Sequence, residues 1–250
     1  MKKIFLIASI LAIFKMQSQI INTESFRIVT DTTGWAGKAE LNVNYAKNTI
    51  KILQIQNNIH VQYKTEKHLF MFVNKIGFQS IDKSNFVNNG IQHFRYNYKL
   101  KPKISLEFFL QNQYNAISKI KYRRLAGFGP RFKLGKSEKY KFYLGTLVMY
   151  EYEKSDDSFN TIQKNWRNSS YFSFSLYFNE KISFVSTTYY QPNLKLFKDY
   201  RVSHQSYFKF EIAKNLAYKT SFSYTYDAFP VIGIPKEEIA IANGIVYRFK

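Results

Sequence analysis

Histidine, serine and the charged side chains are the residues through which this chain could do chemistry. His204-Gln205-Ser206 places a histidine and a serine two positions apart, hence on one face of a strand. A histidine so placed can act as base to a serine nucleophile, given an orienting partner and donors for an oxyanion. His60, His68 and His93 show no metal spacing, so solvated histidines are the plain reading. No metal and no cofactor are expected. The chain has no cysteine, which excludes disulfides, a thiol nucleophile, a lipidated cysteine and a thiolate zinc site. Gly127 and Gly129 beside Pro130 carry a structural signal, a close approach that makes room for a bulky neighbour such as Tyr143.

The elements that would hold these residues are strands. Ser105 to Gln111, Phe172 to Phe178 and Phe208 to Ile212 alternate with a period of two, and lack helical spacing. Twelve such segments follow one another, at roughly 36–46, 50–63, 68–79, 88–100, 104–115, 120–134, 139–152, 169–178, 182–191, 200–212, 216–227 and 239–249. Many reach ten residues, long for a soluble strand and sufficient to cross a bilayer when tilted. The even-numbered connections are tight, as at Lys101-Pro102-Lys103 and Asn179-Glu180-Lys181. The longer ones, Ile81 to Val87, Glu153 to Arg167, Pro192 to Asp199 and Ala228 to Glu238, are all odd-numbered. Outer-membrane barrels show this asymmetry, with the longer loops outside. Met1-Lys2-Lys3, an apolar run from Ile4 to Phe14 and a small residue at Ser18 read as a secretory signal over 1–18. An N-terminal segment, 19–35, and a barrel, 36–250, would follow. The expectation is all-β: a twelve-stranded, antiparallel, up-and-down transmembrane barrel in the cell outer membrane.

One strand face is apolar, with Leu41, Val43, Ile55, Leu144, Val148, Ile239 and Ile241. The other is polar, with Gln54, Asn58, His60 and Gln62. In a barrel bathed by lipid the polar face lines the interior. On that register the interior cations are Arg95, Lys99, Lys121, Arg123, Arg131, Lys133, Lys141, Lys209, Lys219 and Arg248. They outnumber the interior acids, among them Glu107, Glu151 and Glu211. A water-filled interior of this kind would favour anions. The alternative is that the charges pair across strands and fill a narrow interior. The net charge of +20 suits an anionic partner. Scattered lysines and the lack of any zinc-finger or P-loop pattern argue against nucleic acid. Rim cations, Lys64, Lys101, Lys164, Arg167, Lys195 and Lys198 among them, either pair with lipopolysaccharide phosphates or merely solubilise loops. Aromatics make up 18% of the chain. Tyr63, Tyr114, Tyr140, Tyr150, Tyr152, Tyr189, Tyr190, Tyr224 and Tyr226 are candidates for interfacial girdles.

Several stretches resemble the salt-induced outer-membrane protein family, a barrel family without established activity. They are Arg95 to Leu100, Gln111 to Asn115, Arg124 to Phe132, Tyr143 to Thr146, Tyr189 to Pro192 and Asp199 to Ser203. The resemblance covers about residues 36 to 249 and implies location and fold; it brings no catalytic residues. The last strand, ending Gly244 to Phe249, is similar to the signal read by the barrel-assembly machinery, apart from the extra Lys250. His204-Gln205-Ser206 is similar to a pattern of outer-membrane phospholipases, but Tyr207-Phe208 stands where that family has Asn-Gly. The expected role is non-enzymatic, structural in the envelope; a small anion-preferring pore is the alternative, and a phospholipase-like hydrolase a second one.

Overall fold

The computed structural model describes residues 33–47, 51–82, 84–213 and 216–247. The signal-like segment 1–18, most of 19–35 and Arg248 lie outside the described residues. Alternation becomes strand wherever it runs. The strands are β1 (Gly34–Lys47), β2 (Lys51–Lys64), β3 (His68–Ile81), β4 (Ser84–Lys101), β5 (Ile104–Asn115) and β6 (Ile120–Lys136). They continue as β7 (Tyr140–Ser155), β8 (Ile162–Tyr177), β9 (Ile182–Pro192), β10 (Tyr200–Ala213), β11 (Leu216–Asp227) and β12 (Glu237–Tyr247). Each pairs antiparallel with the next in a single sheet running β1 to β12. The sheet curls into a barrel. Lys119, between β5 and β6, donates its ammonium to the carbonyl of Ile232, between β11 and β12, at 2.9 Å.

Two connections differ from the sequence expectation. Glu153 to Arg167 is not a loop, because β7 and β8 stay paired as far as Lys154 and Ile162, leaving 156–161 as the turn. β4 begins at Ser84, opposite Ile81, so Ile81 to Val87 is mostly strand. The longest connections, 156–161, 193–199 and 228–236, still share one end of the barrel. The tight ones, among them 65–67, 102–103 and 137–139, share the other.

The wall is apolar outside and polar inside. Phe128 and Ile241 are 55% and 69% exposed, whereas Glu107 and Arg167 are wholly buried. Consecutive residues cannot share a face, which corrects the girdle at one position. Tyr190 points out, and Tyr189 is buried in the interior. Tyr189 there joins Phe109, Leu147, Met149 and Tyr171, with Leu125 against them, in an apolar layer.

Glycines make space for that layer. A Cβ on Gly127 would overlap the ring of Phe109, and one on Gly145 the ring of Tyr171. Gly127 therefore accommodates Phe109 rather than Tyr143, and Gly129 faces the β7 backbone at Thr146 and Leu147. We expect Gly145→Val to destabilise the folded barrel by about 1–3 kcal/mol through overpacking. Gly244→Ala, whose added carbon meets nothing within 4 Å, should fold normally. Urea titration in detergent, followed by heat-modifiable gel mobility, compares the two.

Candidate functional site

The interior is the candidate site. Strand alternation sends its charged side chains inward, and there they form two layers. The layer towards the long connections joins β6, β7, β8, β10 and β11. Glu151 accepts from three arginines: Arg123 Nε at 3.2 Å, Arg167 Nε at 2.7 Å, and Arg201 Nη1 in a short contact. Arg123 also holds Glu153, its Nη2 at 2.5 Å. Arg167 donates through Nη2 to both carboxylate oxygens of Asp199, at 2.9 and 2.8 Å. Arg201 reaches from β10 to Glu153 on β7 at 3.3 Å and to Asp227 on β11 at 2.8 Å. Three guanidiniums thus meet four carboxylates, a balance of minus one.

The second layer lies nearer the tight turns. Glu107 on β5 accepts from Asn97 at 2.5 Å and from the Tyr171 hydroxyl at 2.6 Å. Arg95 and Arg131 approach it at 3.7 and 3.5 Å. Arg131 also lies 3.8 Å over the Tyr143 ring. Two guanidiniums meet one carboxylate, a balance of plus one. Between the layers is a cavity of about 30 Å³, touched by Arg95, Arg123, Glu151, Tyr171 and Arg201. That volume suits roughly one water molecule.

Arg95, Arg123, Arg131, Glu107 and Glu151 are therefore brought together. Lys99, Lys133, Lys141, Lys209, Lys219 and Glu211 lie beyond them, towards the tight-turn mouth. Lys133 has Lys99, Arg131 and Lys136 as its like-charged neighbours. Lys219 sits 4.2 Å over Tyr207, Lys141 5.3 Å over Tyr177, and Lys209 bonds Glu211 at 2.5 Å. Lys121 is not part of the interior set. A bulge between Ile120 and Tyr122 takes it out of the alternation and leaves it exposed. Arg167 is not a rim cation, since β8 carries it inward, where it is fully buried. Asp227 faces the interior as its alternation implies, whereas Asp199 lies in a connection, where alternation gives no facing. The signal for Arg167 was the polar-charged stretch Glu151 to Arg167, whose alternation continues beneath a loop-like composition.

The opposite wall is lean. β11 and β12 turn Ala217, Ser221, Ser223, Ala240, Ala242 and Gly244 inward by their register. Small residues there leave the filling of the interior to the other strands, among them β4 to β10.

The histidines are less solvated than expected. His60 and His93 are 3% and 1% exposed, because the polar face that carries them is enclosed. They flank Val73 on β3. Among the described residues no group of three metal-binding side chains converges. His204 faces outward and bridges two hydroxyls, Thr188 Oγ1 at 2.9 Å and Ser206 Oγ at 3.2 Å. The pair has the contact of a base with a nucleophile, but its orienting group is an uncharged hydroxyl. The backbone around Ser206 is paired on both sides, with β9 and β11. Its N–H groups are thus engaged in ladders rather than offered to an oxyanion. We expect purified protein to release no fatty acid from phospholipid vesicles, with Ser206→Ala indistinguishable from wild type.

Buried charges in such layers depend on one another. Deleting one partner leaves the others uncompensated, at about 3–5 kcal/mol. Arg167→Ala, which strips Glu151 and Asp199 at once, should therefore lower the urea midpoint of detergent-folded protein well below that of Lys195→Ala in the adjacent loop.

A family model described as "Protein of unknown function, DUF481" matches residues 22–249. That description carries no mention of salt induction. No curated protein shows significant similarity to the chain. Among solved structures, the NanC porin aligns with TM-score 0.50 at 8% identity, over 84% of this chain and all of the porin. The CymD monoaromatic hydrocarbon channel aligns with TM-score 0.49 at 8% identity, over 87% of this chain and 80% of that one. The porin likeness is one of fold: an up-and-down β-barrel.

Proposed function

The chain belongs to the DUF481 family, and for it we propose a narrow pore in the outer membrane that favours anions. The observation that carries the reading is the lean wall of β11 and β12. Its Ala, Ser and Gly side chains line the middle of these two strands, between Lys219 at one end and Asp227 at the other. The apolar outer surface, strands of 11 to 18 residues and the gathering of long connections at one end support a membrane position with those connections outside. Barrel assembly through the envelope machinery follows from the same reading. Ion preference follows from Lys99, Lys133, Lys209 and Lys219 at the inner mouth, where Glu211 is the nearby acid. Cations on a low-dielectric wall concentrate anions.

One observation favours a second reading. The ion pairs spanning β7 to β10 and the water-sized cavity beside them suit a sealed barrel with a structural role in the envelope. Conductance separates the two. In planar bilayers the pore reading gives stepwise currents whose reversal potential in a salt gradient lies towards the anion. Lys209→Glu with Lys219→Glu should move it towards the cation. Arg201→Ala, by opening the layer across β7 and β10, should enlarge each step. Silence from wild type and from Arg201→Ala at high protein loading would reject the pore and leave the sealed barrel.

A further inference from the structure

Among the described residues, Arg124 is the arginine that does not point inward. It sits on the outer face of β6, near the end with the long connections. Its cross-strand partner on β7 is Tyr152, and the partner of Tyr152 on β8 is Lys164. One step closer to the rim the row reads Tyr122, Lys154 and Ile162. Three cations and two tyrosines thus alternate across three adjacent strands, which are about 4.8 Å apart. The rings hold the cations in place. Tyr122 and Tyr152 stack at 5.9 Å with their planes 2° apart. Arg124 lies 5.2 Å over Tyr122, and Lys164 5.7 Å over Tyr152. No carboxylate is paired with Arg124, Lys154 or Lys164 among the described residues. The same rim elsewhere is different: around β10 to β12 it presents Tyr200, Tyr226 and Tyr224, with Glu237 bonded to Tyr224.

We propose that this patch binds the phosphate of an anionic glycolipid headgroup in the outer leaflet. The proposal rests on the membrane position given above, not on the pore. Charge complementarity selects a phosphate, for which arginine offers a planar pair of donors and lysine a point charge. The surface beneath selects a lipid over a soluble anion. Directly below the cations come Tyr150 and Trp166, then Val148 and Phe128, all on the outward face and continuous with the apolar belt. An amphiphile with acyl chains along that belt brings its headgroup phosphate to the height of Arg124 and Lys164. The interfacial rings then close over the sugar and the upper chains.

The test uses full-length mature protein folded in detergent and titrated with bisphosphorylated lipid A, with binding read by native mass spectrometry. Heat-modifiable mobility first establishes that each variant is folded. Wild type should retain lipid A, and the combined Arg124→Gln, Lys154→Gln, Lys164→Gln variant should retain it about tenfold less or weaker. Dephosphorylated lipid A should bind wild type as poorly as the variant. Lys101→Gln, Lys103→Gln, Lys136→Gln, three changes at the opposite rim, should leave binding intact. Equal binding of phosphorylated and dephosphorylated lipid overturns the proposal. So does an equal loss in the opposite-rim variant, which would mark a diffuse charge effect. Displacement of lipid A by millimolar inorganic phosphate would assign the patch to a soluble anion and also overturn it. Each outcome is independent of conductance, so a silent barrel can still bind lipid A and a conducting one can fail to.

Discussion

A wall that stands in hydrocarbon must satisfy its backbone N–H and C=O groups within itself, since no water is there to do so. Ladders of antiparallel strands meet this demand, and in this chain each strand from β2 to β11 pairs with both of its neighbours in sequence. Everything else follows from the period of two that such ladders impose. Once Leu144, Val148 and Phe128 face outward, the residues between them have to face inward. The interior of a barrel this narrow is then where charge has to be reconciled. That burden explains why Glu151 meets three arginines and why Glu107 meets two arginines, a tyrosine and an asparagine.

The interior is consequently a mixed core. Its ion pairs are not bargains in themselves, since desolvation offsets much of their attraction. Their contribution is to position: Arg201 ties β10 to both β7 and β11, and Arg167 ties β8 to the connection before β10. The apolar layer of Phe109, Leu147, Met149, Tyr171 and Tyr189 works with them. Tyr171 belongs to both, packing with the rings and donating its hydroxyl to Glu107. Gly127 and Gly145 are small because those rings occupy the space their side chains would fill.

How much of this the sequence discloses depends on how far alternation survives. Where one face is clearly apolar, as from Phe172 to Phe178 or Phe208 to Ile212, strand and facing are both readable. From Glu153 to Arg167 the composition imitates a loop, since the inward positions carry charges whose partners come from strands distant in sequence. Only tertiary contact reveals that Arg167 has Asp199 to pair with. Lys121 fails for a different reason: one inserted residue resets the period, and no composition marks it. The apolar layer hides in stretches such as Thr146 to Tyr150, apolar on both faces, where periodicity offers no choice of side.

The division between arginine and lysine follows from the same geometry. Arg95, Arg123, Arg131, Arg167 and Arg201 all sit in the paired layers, whereas the tight-turn mouth is lined by lysines. A guanidinium offers fixed donors to several carboxylates at once, which suits the buried Glu151 and Asp199. An ammonium on a flexible stem is strongly hydrated and stays where water reaches it. The outward exception, Arg124, lies over the Tyr122 ring on the outer face of β6. Within one wall, the choice of cation therefore tracks the partner each position faces: carboxylate inside, water at the tight-turn mouth, and the Tyr122 ring on the outer face.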